Sequence, residues 1–299
     1  MNARRTSLAI RPGRATPHGR GRRPGSAAAR FLLPLLILLP WSPGAVAPVV
    51  AANEPEAVVL KDFAALGSGD VEGLAAVFAP QFAMHGLPTA PHALAGPRSD
   101  RLRTRGQLRT HFEQAFVTEP PARHEVLEIV SLGDLVVVRV AIHLPDAAAP
   151  DLAFTVFRVR DGLIRDIWHI AHERDAGPRS GEAARSTIQR LVAAHNRGDA
   201  DAFVALYHPD AHHSHARHDR AQLGGGPARR TTDHASRRRF YRDLYAKGAP
   251  VQVDIAASSA LAEWVATRER YADPDGPRDH LTLYRVRDGL ITDDWHLAP

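Results

Sequence analysis

The sequence predicts an α+β protein built from two tandem domains, each with its helices first and a mostly antiparallel sheet after them. Three observations carry this. Residues 157–171 (FRVRDGLIRDIWHIA) and 284–298 (YRVRDGLITDDWHLA) agree at eleven of fifteen positions, 127 residues apart. That spacing exceeds the roughly 20–50 residues of a solenoid repeat and matches a whole small domain. Each half also carries a Gly-Asp pair between two helical patterns, Gly69-Asp70 and Gly198-Asp199. Finally, Asp161-Gly162 and Asp288-Gly289 each lie between apolar runs, a strong short-range hairpin signal.

The elements follow in the same order twice. Residues 57–70 and 186–199 read as amphipathic helices ending at the Gly-Asp pair. Glycine suits the C-terminal cap and aspartate the N-cap of a second helix. That second helix, 71–80 or 200–209, stops at Pro80 or Pro209. A His-rich strand or loop and a Gly-, Pro- and Arg-rich stretch precede a third helix at 105–116 and 234–248. Residues 126–144 predict a hairpin turning at Gly133-Asp134, and 251–272 are its counterpart. The first domain is therefore expected over 56–173, a polar linker over 174–182 and the second domain over 183–299.

Residues 1–52 stand apart. They hold eight Arg and no Lys, Asp or Glu, and an apolar run (FLLPLLILLPW) gives way to small residues. This is the pattern of a secretory signal peptide, which predicts a periplasmic or secreted protein. An uncleaved anchor is the alternative, since residues 31–51 carry no charge over about a bilayer span, and a membrane is expected as a partner only in that case. Pro34, Pro40, Pro43 and Pro48 weigh against a helix there. The whole chain has 38 basic and 33 acidic residues; without the eight leader Arg it has 30 against 33, a net of −3. The basic character belongs to the leader, so nucleic acid is not expected as a partner. With no Cys, the chain has no disulfides.

The order of elements, the Gly-Asp pair and the closing VRDGLI-D--W hairpin resemble the nuclear transport factor 2-like superfamily, and in particular its SnoaL-like branch of polyketide cyclases and ester-cyclase-like proteins. The resemblance covers nearly all of the chain beyond the leader. It implies cone-shaped domains, each a curved sheet around helices with a pocket at the open end. It implies no single activity, because the same cone hosts isomerases, cyclases, binding proteins and dimerisation modules.

Strand alternation predicts which residues face such a pocket. If Asp161-Gly162 is a two-residue turn, Arg160 opposes Leu163, Val159 opposes Ile164, Phe157 opposes Asp166 and Thr155 opposes Trp168. Asp166 and Trp168 then share the apolar face with Phe157; Asp293, Trp295, Tyr284, Thr282 and His280 share it in the second domain. His169 and His296 fall on the opposite face, as interface or solvent residues. A carboxylate in an apolar pocket has a raised pKa and suits proton transfer, making Asp293 and Asp166 the candidate catalytic residues. SnoaL-like cyclases place a catalytic Asp comparably. The competing reading is that each Asp bonds a backbone amide or an Arg. Trp168, Trp295, Phe157, Tyr284, Thr282 and His280 are candidate pocket walls or substrate contacts. The second domain holds the fuller polar set, with Tyr284 and His280 where the first has Phe157 and Ala153, which makes it the candidate if only one is active.

His208, His212, His213, His215 and His218 cluster in the second domain. Their spacing fits no established metal site, so a solvated loop is expected and no metal or cofactor. His213 and His85 fall where the first strand enters the pocket rim and are candidate substrate contacts. Arg98, Arg101, Arg103, Arg105 and Arg109 form one basic run, and Arg229, Arg230, Arg237, Arg238, Arg239 and Arg242 another; each suits a solvated face or an anionic ligand. The expected function is the handling of a small apolar or weakly acidic molecule, by cyclase- or isomerase-type proton transfer or by non-catalytic binding. The two copies are expected to pair with each other like a dimer, and an interaction or stability module with a filled cavity is the third reading.

Overall fold

The computed structural model describes residues 54–145, 147–174, 177, 179–215, 223 and 233–297. Residues 1–53, His218, Arg229 and Arg230 lie outside them. The first domain runs α1 (Glu54–Ser68), α2 (Val71–Val77), β1 (Phe78–His85), α3 (Arg105–Thr118), β2 (Arg123–Leu132), β3 (Leu135–His143), β4 (Asp151–Arg160) and β5 (Leu163–Glu173). The second repeats it as α4 (Glu182–Asn196), α5 (Ala200–Ala205), β6 (Tyr207–His215), α6 (His234–Ala246), β7 (Val253–Leu261), β8 (Trp264–Tyr271), β9 (Arg278–Arg287) and β10 (Leu290–Leu297). The sheets have the orders β1-β5-β4-β3-β2 and β6-β10-β9-β8-β7. Among the described residues only β1 with β5 and β6 with β10 pair parallel; the remaining strand pairs are antiparallel. This is the predicted α+β architecture, written twice. Among the described residues, no helix is long and apolar enough to cross a membrane.

Local chemistry explains the punctuation. Gly69 and Gly198 take left-handed φ values of 70° and 68°, which ends the first helix of each domain without a Cβ penalty. The Asp70 and Asp199 carboxylates then accept the amides of Gly73 and Ala202, both at 2.9 Å, and cap the second. Asp161-Gly162 and Asp288-Gly289 have positive φ at both residues, as a tight hairpin turn of matching twist requires.

Each sheet buries one face against its own helices. Val136, Val138, Phe157, Val159 and Ile167 meet Val59, Phe63 and Leu74 in the first domain. Tyr284, Val286 and Ile291 meet Ile188, Leu191 and Val204 in the second. The other faces contribute to a third apolar cluster that includes Val156, Trp168, Leu283 and Trp295. Arg185 reaches Glu128 across the domains at 2.7 Å.

The last hairpin departs from simple alternation. Val159 pairs with Ile164, but Arg158 pairs with Asp166, leaving Arg165 as an extra residue. In the second domain Val286 pairs with Ile291 and Arg285 with Asp293, leaving Thr292 extra. A β-bulge of this kind reverses the facing of everything beyond it. Phe157 therefore opposes Ile167, Thr155 opposes His169, and Tyr284 opposes Asp294. The expected pairs Phe157–Asp166 and Thr155–Trp168 are not formed. Asp166, Trp168, Asp293 and Trp295 lie on the face away from the helices, and His169 and His296 lie on the helix-covered face.

Candidate active site

The first domain encloses a cavity of about 500 Å³ between its helices and the concave face of its sheet. The walls are largely apolar: Phe63 and Leu66 from α1, Phe112 from α3, Ile142 from β3, Phe157 from β4 and Ile167 from β5. Asp62, Thr155, His124 and His169 supply polar atoms.

Asp62 is the distinctive group. It sits on the buried side of α1, four residues after Val58 and three after Val59, and is 3% exposed. Its Oδ1 is buried without a hydrogen-bond partner. Burial of the carboxylate, with its charge unmatched, pushes its pKa from 3.8 to about 7. Burial likewise holds His124 below its ordinary range, against a hydrogen bond to the Ala122 backbone, and holds His169 down together with the nearby His172. Both imidazoles are thereby biased to the neutral form. His169 Nδ1 lies 3.4 Å from Thr155 Oγ1. The cavity thus combines an acid that ionises near neutrality with imidazoles able to offer or accept a hydrogen bond.

The second domain's interior carries hydrogen-bonded polar networks. Tyr284 donates to Glu269 Oε1 at 2.6 Å, Thr267 to the same oxygen at 2.8 Å and Tyr271 to Oε2 at 3.0 Å. Burial raises the Glu269 pKa in spite of these three donors. Nearby, Asp294 is fully buried; Tyr207 donates to its Oδ2 at 2.9 Å and His213 contacts its Oδ1. Burial pushes the Asp294 carboxyl up, but the charge and hydrogen bond of His213, the charge of His296 and the Tyr207 hydroxyl outweigh it and hold it low. His213, Asp294 and His296 bring ligand-type atoms within 4.8 Å of one another.

The structure sorts the expected site residues. Phe157 lines the first cavity. Tyr284, Thr282 and His280 share one face of β9, and His213 of β6 joins Asp294, the register partner of Tyr284, on the neighbouring strand β10. Asp166 pairs instead with Arg158 at 3.2 Å, outside the cavity. Asp293 pairs with His92 at 2.6 Å. Trp168 stacks under His85, and Trp295 against Trp264, on the outer faces. The four are displaced by the two bulges, and His85 follows because it pairs with Trp168. The His-rich stretch is the strand β6 through His215, not a loop.

Several of the described arginines are bound by protein groups. Arg98 donates to the Phe82 carbonyl and Arg105 to that of Phe78. Arg109 pairs with Glu72, and Arg238 and Arg242 with Asp201. Arg237 is buried over the Tyr207 ring.

Sequence reasoning missed Asp62, Glu269 and Asp294. A signal existed for each. Asp62 interrupts the apolar stripe Val58, Val59, Leu66 of an amphipathic helix. Glu269 alternates with Thr267 and Tyr271 on one strand face. Ile164 and Ile167 are three apart, where unbroken alternation requires two.

A family model described as the SnoaL-like domain matches residues 59–167 and again 188–293. Among solved structures, IdmH of Streptomyces antibioticus, assigned as a polyketide cyclase, is 26% identical over 40% of this chain and 91% of its own, with a TM-score of 0.30. A protein of Kribbella flavida assigned as a ketosteroid isomerase is 21% identical over 42% and 84%, with a TM-score of 0.31. A ketosteroid isomerase-like fold from Catenulispora acidiphila, in complex with trimethylamine, is 18% identical over 38% and 84%, at 0.30. No curated protein matches the chain. The chain belongs to the SnoaL-like domain family, whose members bind small molecules, and carries that domain twice.

Proposed function

We propose that the first domain binds a small, largely apolar carbonyl compound and moves a proton on it, in a cyclase- or isomerase-type reaction, with Asp62 as the general acid–base group. The observation that carries this is the Asp62 carboxyl: buried, without a partner at Oδ1, facing an apolar cavity and titrating near pH 7. A group poised near the working pH is the most effective proton shuttle. In this reading the Asp62 carboxylate takes a proton from carbon beside the carbonyl and returns it to another atom of the same molecule. A neutral imidazole, His124 or His169, donates a hydrogen bond to the oxygen where negative charge develops. Phe157 packs against the bound molecule.

This moves the acid–base role from Asp166 and Asp293, whose side chains leave the cavity face, to a residue of α1. Tyr284, Thr282, His280 and His213 remain candidate contacts in the second domain. Packing of the two domains is proposed to stand in for a dimer; their shared apolar cluster supports it. Export by the 1–52 leader belongs to the same proposal, and the mature N-terminus of protein recovered outside the cytoplasm tests it.

The test of the chemistry is a panel of β,γ-unsaturated ketones, followed by the absorbance of the conjugated product, with wild type and Asp62→Asn. Turnover lost in the variant while ketone binding persists supports the proposal. Ketone bound by wild type without turnover assigns the non-catalytic reading instead.

A further inference from the structure

The second domain carries a feature that the proton-transfer reading does not use and does not need. We propose that His213, Asp294 and His296 bind a divalent transition-metal ion of the zinc class. The set is built on rigid elements. His213 and Asp294 are register partners on the parallel strands β6 and β10, and His296 follows two residues on, on the same face. The three ligand-type atoms lie within 4.8 Å of one another. Tetrahedral zinc, with bonds of about 2.0–2.2 Å, holds its ligands roughly 3.5 Å apart, so side-chain rotations of about an ångström complete the site. The His213 and His296 rings stand at 73° with centroids 4.9 Å apart, converging rather than stacked.

The outer groups suit a metal as well. Tyr207 donates to Asp294 Oδ2 at 2.9 Å, which fixes the carboxylate and leaves Oδ1 for the ion. Thr282 Oγ1 lies 3.3 Å from His296 Nδ1, a contact that orients that ring. Two neutral imidazoles and one carboxylate form a borderline ligand set that suits zinc and leaves coordination positions open. The His213–Asp294 contact is the apo form of the site. On binding, the ion takes the position of the shared proton, which passes to solvent.

The duplicated domain is an internal control. The residues of the first domain at these register positions are Met84, Ile167 and His169. Within the fifteen-residue repeat, Ile167 to Asp294 is the one difference that introduces a charge-bearing ligand. The fold therefore does not require the set; the second copy alone has it.

Full-length protein stripped by a chelator is titrated with Zn²⁺ by calorimetry, with elemental analysis after dialysis. The expected result is one ion per chain in wild type and in His143→Ala, a histidine of β3 outside the set. His213→Ala and His296→Ala should lose that ion, and Tyr207→Phe should weaken it by about 10–100-fold. Zn²⁺ should raise the melting temperature of wild type and leave that of His296→Ala unmoved. A wild type that retains no ion, or a His296→Ala protein that binds it as wild type does, overturns the proposal. The partly exposed His296 serves as the deciding variant if His213→Ala fails to fold.

Discussion

His92 Nδ1 lies 2.6 Å from Asp293 Oδ1, joining a residue of the first domain to the last strand of the second. The His92 ring also stacks on His212, with centroids 3.6 Å apart. Asp293 is 1% exposed, and its other oxygen accepts the Thr292 hydroxyl at 2.9 Å. A buried carboxylate with so few partners depends on each of them. A double-mutant cycle of His92→Ala and Asp293→Asn in urea unfolding should show a favourable coupling of about 0.5–3 kcal/mol. Additive losses would mean that the contact contributes no coupling between the domains.

The residues around that contact also mark where the sequence stopped being readable. Both Asp-Gly turns and the first pairs beyond the turn at 161–162, Arg160–Leu163 and Val159–Ile164, follow from turn chemistry alone. Helix caps at Asp70 and Asp199 are legible for the same reason: a short local bond determines them. The facing of Asp166 and Asp293 is not local. One extra residue, Arg165 or Thr292, decides it, and a bulge changes no residue type, only the phase of the pattern. Asp62 was hidden differently. Most charged residues on a helix face water, and only the cavity beside α1 makes this one different.

The Tyr284 hydroxyl should contribute stability through Glu269. It donates at 2.6 Å to a buried carboxyl that two other hydroxyls also serve. Tyr284→Phe should cost about 1–3 kcal/mol in chemical unfolding near neutral pH. The first domain holds Phe157 at this position, so the ring itself fits the fold. Because the lost bond favours ionised Glu269, the cost should shrink in acid. A variant as stable as wild type across the range would show that the network is not a stabilising one.

Gly181 precedes α4 with φ at 94°, and a Cβ there would stand 2.6 Å from the Ala260 carbonyl carbon. The obstacle is backbone of β7, which cannot rotate aside. Gly181→Ala should cost about 1–3 kcal/mol from the left-handed backbone, and about 1–3 kcal/mol more from overpacking. Gly289, at φ 77° with nothing within 4 Å of its Cβ position, isolates the first contribution. Equal losses at the two positions in thermal unfolding would remove the packing argument.

Asp62 ties stability to pH in the direction opposite to a salt-bridged carboxylate. Its usual pKa of 3.8, taken for the unfolded chain, rises to about 7 in the fold. Between those values the folded state holds a proton that the unfolded chain has released, so stability falls as pH rises from about 4 to about 7 and is level above. At about 1.4 kcal/mol for each pH unit, the interval bounds the loss at about 4 kcal/mol. Asp62→Asn removes the ionisation and keeps the shape. Relative to wild type, it should therefore gain stability steadily across that window, with urea unfolding at several pH values as the measurement. The same ionisation should govern activity, which is expected to rise with an apparent pKa near 7 if the carboxylate is the base. A stability difference that stays flat from pH 4 to pH 8 would show that Asp62 does not titrate in the fold near neutrality, and the acid–base role would fall with it.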